Sequence, residues 1–184
     1  MSIINYFELF DLPPAFELDA EVLLPRYRDL QRQSHPDRFA AAAADVQRAA
    51  VTRAADINAA FTALKDPVQR ARHLLALAGH PLHNESATVA DTDFLMAQME
   101  LREQLEEAED ALALAGLREE AEDWLANLGR EFAIDHREQD FAEAADTVRK
   151  MQFMARFIQD VLAREARLED DEDDYDQDHD EDPD

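Results

Sequence analysis

The sequence contains no cysteine, and only three glycines and seven prolines occur among its 184 residues. Without cysteine, disulfides, thiol catalysis and thiolate-held metals or clusters are excluded for this chain. No apolar run approaches the length of about 20 residues that spans a bilayer. The first residues also lack the basic start and small-residue cleavage site of a signal peptide. We therefore expect a cytoplasmic protein that has no contact with membranes.

Residue types that favour helices dominate the composition. Alanine, leucine, glutamate and arginine are abundant, β-branched residues are sparse, and 46% of the residues are hydrophobic. These proportions predict an all-α fold with enough apolar surface for one domain or two small ones.

The net charge of -25 is unevenly distributed along the chain. Residues 1–83 carry nine basic and ten acidic groups, residues 84–168 carry nine and 21, and residues 169–184 carry twelve acidic groups and no basic one. The last two regions would repel a phosphate backbone, so we expect no binding to nucleic acids. Regions that differ so strongly in charge are expected to meet different partners.

Residues 1–79 form the first predicted domain, which is built on two antiparallel helices. The first helix has a core stripe at spacings of three and four residues, consisting of Leu23, Tyr27, Leu30 and Ser34. This helix ends near His35, because a residue before proline avoids the α region. It contains Pro25, so it must either bend there or begin at that proline. The second helix begins near Asp45, and Asp66-Pro67 ends it and opens a further short helix.

Residues 80–91 are polar, show little periodicity and are predicted to be a linker. Three helices follow, at about residues 93–115, 117–136 and 140–168, with Gly116 as the stop between the first two. Their short connections predict an antiparallel three-helix bundle over residues 92–168. Residues 169–184 are predicted to be a disordered, solubility-promoting tail, since tight cation binding by its carboxylates would need a folded cage.

The loop between the two helices of the first domain contains His35-Pro36-Asp37. Arg28 and Arg32 share a helix face that lies opposite the core stripe and leads into this loop. Proline stiffens the loop, while His35 and Asp37 offer hydrogen-bonding groups and a negative charge. We expect this surface to dock on an acidic patch of a protein partner, with Asp37 reaching an arginine there.

These features resemble a J domain, the DnaJ-type module that activates chaperone ATPases of the DnaK family. The resemblance covers about residues 3–76 and rests on the helix RYRDLQRQ, the loop HPDRF, the helix AADINAAFTAL and the following Asp-Pro pair. It implies that the chaperone ATPase is bound by His35, Pro36, Asp37, Arg28, Arg32, Arg38 and Arg26. An ordinary solvated hairpin turn is the alternative, which the flanking pattern disfavours.

The first bundle helix has two apolar stripes. One stripe is expected to face the core and consists of Phe94, Leu101, Leu105, Ala108 and Leu112. The opposite stripe consists of Leu95, Met96 and Met99, followed by Glu100, Glu103 and Glu107. An apolar, methionine-containing patch with an acidic rim is typical of a protein-binding surface. Packing on the first domain or inside a thicker bundle is the alternative.

The third bundle helix repeats this pattern of two stripes. One consists of Phe141, Ala145, Val148 and Ala155, and the nearly opposite one consists of Phe153, Met154, Phe157 and Val161. Phe153 and Met154 are expected to extend the same patch across the bundle. Burial inside a thicker bundle is again the alternative, chiefly for Phe157 and Val161.

A J domain followed directly by a helical bundle resembles the HscB-type co-chaperones of iron–sulfur cluster assembly. The stretches TDFLMAQMELREQLEEAE and AADTVRKMQFMARF carry this resemblance, which spans about residues 3–165. It implies two partners, an HscA-type chaperone ATPase and an IscU-type cluster scaffold. The implied scaffold-binding residues are Leu95, Met96, Met99, Glu100, Glu103, Glu107 and Phe153. The alternative is a general J-domain co-chaperone of DnaK, whose bundle binds another client or is purely structural.

The sequence shows no pattern typical of an enzyme. It contains no convincing nucleophile–base set or phosphate-binding glycine loop, and His80 and His83 lie in the predicted linker. We therefore expect no catalysis, no metal site and no cofactor, while the oligomeric state is left open.

Overall fold

The computed structural model describes residues 4–82 and 91–177. Within these ranges the chain is helical without any strand, and none of the helices is long and apolar enough to cross a membrane. The predicted all-α fold is confirmed. The helices are α1 (Tyr6–Leu9), α2 (Ala20–Ser34), α3 (Ala44–Lys65), α4 (Pro67–Leu77), α5 (Thr92–Glu107), α6 (Ala111–Glu138) and α7 (Phe141–Gln177), with a 3₁₀ turn at Pro36–Phe39.

Polar caps and a glycine set the helix ends in the first part of the chain. Asp19 and Asp66 each accept a hydrogen bond of 2.8 Å from a backbone N–H in the first turn of α2 and α4. After α4, Gly79 adopts a φ of 87°, a left-handed conformation in which the N–H groups of Gly79 and His80 bond to carbonyls of the last turn. The sequence predicts each of these boundaries.

Pro25 lies inside α2, as its sixth residue, so the helix does not begin at this proline. Because proline has no N–H, the carbonyl of Glu21 receives no hydrogen bond from it. The helix nevertheless forms, since Asp19 caps it and Leu23 is buried in the domain core. It ends at Ser34, as predicted.

Tyr27 fixes the pairing of α2 with α3. Its ring stacks on Phe61 with the centroids 3.9 Å apart, and its hydroxyl lies 3.1 Å from the side-chain oxygen of Asn58. Gln31 donates to the same hydroxyl at 2.6 Å. The fully buried large side chains of this part of the chain include Phe7, Phe10, Ile57, Leu64, Leu74 and Leu75. The two helices thus hold the loop between them as a fixed tip.

The predicted boundary between the first two bundle helices is wrong. Helix α5 ends at Glu107, and α6 begins at Ala111 and continues through Gly116. Asp110 caps α6 by accepting a 2.7 Å hydrogen bond from a backbone N–H of the first turn. Glycine in a helix interior costs only about 1 kcal/mol and does not by itself end a helix. Because α5 ends before Leu112, this residue does not continue the predicted core stripe of α5, and it is 83% exposed.

The burial of Met154 contradicts its predicted place in an exposed patch. In a three-helix bundle each helix packs against two others, so its buried arc is wider than a single stripe. The buried residues of α7 are Ala144, Thr147, Val148, Met151, Met154, Phe157, Ile158 and Val161. The alternative of a thicker core therefore holds for Phe157 and Val161, whereas Phe153 is only half-buried.

Helix α7 extends nine residues beyond its predicted end, to Gln177. The disorder predicted from residue 169 is therefore not found at residues 169–177, which include no glycine or proline that would end the helix. Residues 178–184 of the predicted tail, and residues 83–90 of the predicted linker, lie outside the described residues.

The chain divides into two compact units. The first comprises Met1–His83 and Phe132–Ala145, and the second comprises Asn84–Glu131 and Asp146–Asp184. Within the first unit, the ring of Phe16 lies 5.2 Å from that of Phe132, and His80 stacks on Phe141 at 4.3 Å. The end of α6 and the start of α7 thus belong with the amino-terminal helices.

Candidate functional site

The His35-Pro36-Asp37 loop is held by a hydrogen bond between its own residues. The Nδ1 atom of His35 accepts from the backbone N–H of Asp37 at 3.3 Å and also lies 3.5 Å from its carboxylate. The other ring nitrogen, Nε2, takes no part in this bond and is left for a partner. The side chains of His35 and Asp37 are 58% and 89% exposed. The loop therefore presents an imidazole and a carboxylate close together at an exposed tip.

The chain after the loop is fixed by Gln47, a residue that sequence reasoning missed. Its side-chain amide donates hydrogen bonds of 3.0 Å to the carbonyls of Ala40 and Ala42. Gln47 lies in the first turn of α3 and so ties the segment after the loop to that helix. Glutamine is common throughout helices, so its presence near a predicted helix start did not indicate this role.

The four predicted docking arginines fall into two groups. Arg28, Arg32 and Arg38 are exposed; the side chain of Arg32 pairs with Asp29, and Arg38 donates to the Arg32 carbonyl at 3.2 Å. Each of these pairs is at the surface, where an ion pair or hydrogen bond is weak and exchangeable. The three arginines therefore form a positive face beside the loop, which we call the basic face.

Arg26 is not part of the basic face, because its side chain is held by contacts within the protein. It is half-buried, and its guanidinium donates to the carbonyl oxygens of Phe10 and Asp11, the first at 2.7 Å. It also lies 3.8 Å from the Asp11 carboxylate. Arg26 thus joins α2 to the segment after α1, which is a structural role.

The predicted scaffold-binding stripe of α5 is exposed along its length. Met96 and Met99 are 65% and 72% exposed, and Leu95 is half-buried beside them. The carboxylates that continue the stripe are also exposed and belong to Glu100, Glu103 and Glu107. These six residues form an apolar surface with an acidic rim, which we call the methionine face. Exposed methionines adapt to different partner shapes because their side chains are flexible.

Aromatic packing beneath α5 supports the methionine face. The buried ring of Phe94 meets Trp124 edge to face at 5.6 Å and Phe153 at 5.8 Å. The guanidinium of Arg102 lies over Phe153, 5.5 Å from the ring centroid. Phe153 is thus half-buried between the core and Arg102 rather than fully presented to a partner.

A charged contact fixes the start of α5. Asp91 caps the helix by accepting from the N–H of Phe94 at 3.1 Å, and its other oxygen lies 2.6 Å from Nζ of Lys150 on α7. The hydrogen bond from Lys150 lowers the pKa of the Asp91 carboxyl, and the bond from Phe94 adds to the effect. Asp91, Lys150, Arg102 and Trp124 were not predicted to serve this surface, because contacts between distant helices leave no local signal.

No group of three possible metal-binding side chains occurs in the described ranges 4–82 and 91–177. The histidines found there have aromatic or backbone neighbours instead, as with His80 on Phe141 and His73, whose Nε2 accepts from the N–H of Tyr6 at 3.1 Å. What both candidate surfaces offer is non-covalent contact: hydrogen bonds and charge at the loop, apolar area at α5.

Comparison with known proteins gives consistent matches. Residues 90–162 match the family described as the HSCB C-terminal oligomerisation domain. A co-chaperone protein HscB homolog from Shewanella pealeana is 46% identical over 167 residues, which cover 87% of this chain and 95% of the relative. The solved structure of chaperone HscB from Vibrio cholerae matches with a TM-score of 0.80 at 38% identity, covering 90% of this chain and 99% of that one. Human co-chaperone protein HscB matches with a TM-score of 0.82 at 26% identity, covering 88% and 82%. The predicted J domain and helical bundle are confirmed.

Proposed function

Since this chain belongs to the HscB family of co-chaperones, we propose that it stimulates the ATPase of an HscA-type chaperone and delivers an IscU-type iron–sulfur cluster scaffold to it. The observation that carries the proposal is that one chain has two exposed surfaces of different chemistry, the loop with its basic face and the methionine face. The protein acts in the cytoplasm as an adaptor, needs no cofactor and is not itself an enzyme. Its named relatives are likewise co-chaperones.

The first step is docking of the basic face and the loop on the chaperone ATPase. Arg28, Arg32 and Arg38 attract an acidic surface and orient the encounter. His35 and Asp37 then make directed contacts, and the internal hydrogen bond of the loop supports them by holding the His35 imidazole against the Asp37 backbone before binding. A preformed loop loses little conformational freedom on docking, so its contacts contribute fully to favouring the hydrolysing state of the chaperone.

The second step is binding of the scaffold at the methionine face. Met96, Met99 and Leu95 offer the apolar centre, and the three glutamates offer a charged rim that orients a basic partner surface. Phe153 contributes from α7 at the edge of this surface. Because both partners are held by one chain, the scaffold is present at a high effective concentration when the chaperone hydrolyses ATP.

The ATPase rate of purified chaperones tests the proposal. An HscA-type and a DnaK-type chaperone from the same bacterium are each assayed with this protein, with and without an IscU-type scaffold. We expect stimulation of the HscA-type chaperone that rises further, in a synergistic manner, when the scaffold is added. Stimulation of DnaK without any effect of the scaffold would favour the alternative, a general J-domain co-chaperone. Resting rates for both chaperones would refute both functions.

A further inference from the structure

A shallow groove on α6 adjoins the methionine face. Two shallow depressions of about 500 and 510 Å³ share Gly116 and Glu120 as lining residues, and we call the two together the α6 groove. Its apolar lining residues include Ala108, Leu112, Gly116, Leu117 and Trp124. Leu112 is the most exposed large hydrophobic residue in the described ranges, at 83%. Apolar area of this kind is costly to leave in water.

Gly116 has no internal function that the structure reveals. A Cβ added there would meet no heavy atom within 4 Å, and its φ is not left-handed. A glycine in the middle of a helix is less stable than alanine because the unfolded chain has more freedom to lose. Because Gly116 has no side chain, the helix backbone is accessible where the two depressions adjoin, and another molecule can approach it closely.

The rim of the α6 groove carries uncompensated negative charge. Glu119, Glu120 and Asp123 line it, and no arginine, lysine or histidine of the described residues lies within ion-pair distance of these carboxylates. Glu122, one residue away, is by contrast paired with Arg118 at 3.3 Å. The groove is therefore complementary to a segment that combines an apolar side chain with lysine or arginine.

Glu107 links the two surfaces, because it ends the methionine face and also lines the α6 groove. We propose that the α6 groove receives a basic, amphipathic segment of the same scaffold that the methionine face binds. An apolar side chain of that segment lies over Gly116 and Leu112, and its cations reach the acidic rim. This inference rests on the proposed function, since it extends the scaffold-binding surface from α5 onto α6.

Filling the floor of the groove tests its occupancy. The variant Gly116→Gln places a side chain where Cβ meets open space, and it raises helix propensity, so the fold is retained. We expect its Kd for an IscU-type scaffold, measured by calorimetry, to rise about tenfold while its melting temperature equals or exceeds that of the wild type. A Kd equal to that of the wild type would overturn the inference.

Neutralising the rim tests the charge of the occupant. We expect Glu119→Gln/Glu120→Gln/Asp123→Asn to weaken scaffold binding about fivefold at 50 mM salt and to lose most of this effect at 500 mM, where charges are screened beyond about 4 Å. The matched control neutralises three exposed carboxylates outside both surfaces, Glu131→Gln/Glu138→Gln/Asp160→Asn. Equal weakening in both triple variants would reflect net charge alone and would contradict the inference.

Failure of this inference is distinguishable from failure of the proposed function. If the wild type does not bind the scaffold at all, the proposed function fails. If Met96→Ser/Met99→Ser loses binding while the two groove variants bind like the wild type, only the inference on the α6 groove fails. The same variants are assayed for chaperone stimulation without scaffold and for sedimentation. A loss of stimulation, or conversion of a dimer to a monomer by Gly116→Gln, would assign the groove to the chaperone or to a second copy and overturn the inference.

Discussion

His73 accepts a hydrogen bond from the backbone N–H of Tyr6 through Nε2 at 3.1 Å, and the two rings stack with their centroids 4.2 Å apart. This pair fastens α1 to α4, which are 67 residues apart at the point of contact. Burial disfavours the charged imidazolium and lowers the pKa of His73 in the folded protein. In addition, Nε2 can accept only while it carries no proton.

The pKa of His73 predicts a loss of stability in mild acid. The unfolded chain binds a proton near pH 6.5 and the folded chain only at lower pH, so the stabilising contribution is complete above pH 6.5 and is lost as pH falls through the folded pKa. We expect the difference in free energy of unfolding between the wild type and His73→Gln, measured with urea, to shrink from pH 7.5 to pH 5. A constant difference would contradict the prediction.

Arg26 and Arg32 should separate stability from chaperone docking. We expect Arg26→Ala to lower the free energy of unfolding by about 1 kcal/mol, because two backbone carbonyls lose their donor. Arg32→Ala should change stability by less than about 0.5 kcal/mol, since its ion pair is exposed, but should weaken chaperone binding. Urea unfolding and the concentration for half-maximal ATPase stimulation measure the two effects. The reverse assignment would place Arg26 in the docking surface.

The loop itself is tested by His35→Gln. We expect ATPase stimulation to be abolished while the melting temperature and scaffold binding are unchanged, because the His35 side chain is exposed and belongs to no core. Gln47→Ala offers a milder variant, which loosens the chain after the loop without altering its contact residues. Its stimulation should be reduced severalfold. Full stimulation by His35→Gln would refute the assignment of the loop.

The methionine face is tested against a buried methionine. We expect Met96→Ser/Met99→Ser to weaken scaffold binding about tenfold with little change in melting temperature, because both side chains are exposed. Met154→Ser is the control, since this fully buried residue should cost about 3 kcal/mol of stability when a polar group replaces it. A large fall in melting temperature for the double variant would instead show that Met96 and Met99 support the fold.

The turn between α6 and α7 contains a strained residue. Gln139 has a φ of 63°, and hydrogen bonds from Gln139 and Asp140 to the end of α6 hold it there. Glycine adopts this conformation without the clash of a Cβ, so we expect Gln139→Gly to raise the free energy of unfolding by about 1 kcal/mol, as measured by urea unfolding. Gln139→Ala, the control, should bring no comparable gain.

Local signals in the sequence predicted the parts of the structure that depend on neighbouring residues. The caps Asp19 and Asp66, the end of α2 before Pro36 and the exposure of Met96 and Met99 all follow from short-range rules. The helix boundary predicted at Gly116 was wrong, because a helix tolerates a glycine and the helix start is instead set by the capping residue Asp110.

Contacts between residues far apart in the sequence could not be predicted from local sequence patterns. The burial of Met154 depends on which helices flank α7, and the half-burial of Phe153 depends on Phe94 and Arg102. The structural role of Arg26 depends on where the backbone carbonyls of the preceding segment point, and the pattern of side chains in the sequence does not predict this direction. The sequence thus predicted both candidate surfaces, but not the residues that support them.

The pairing of Phe16 with Phe132, and of His80 with Phe141, makes the first unit discontinuous in sequence. A ribosome releases residues in order, so Phe16 emerges more than a hundred positions before its partner. Nascent chains fold as their segments appear, and this unit reaches its final state only after residue 145 has left the exit tunnel. Fragments cut at the linker will therefore lack residues 132–145 of this unit. The stability measured for such a fragment will be lower than that of the amino-terminal helices in the intact protein.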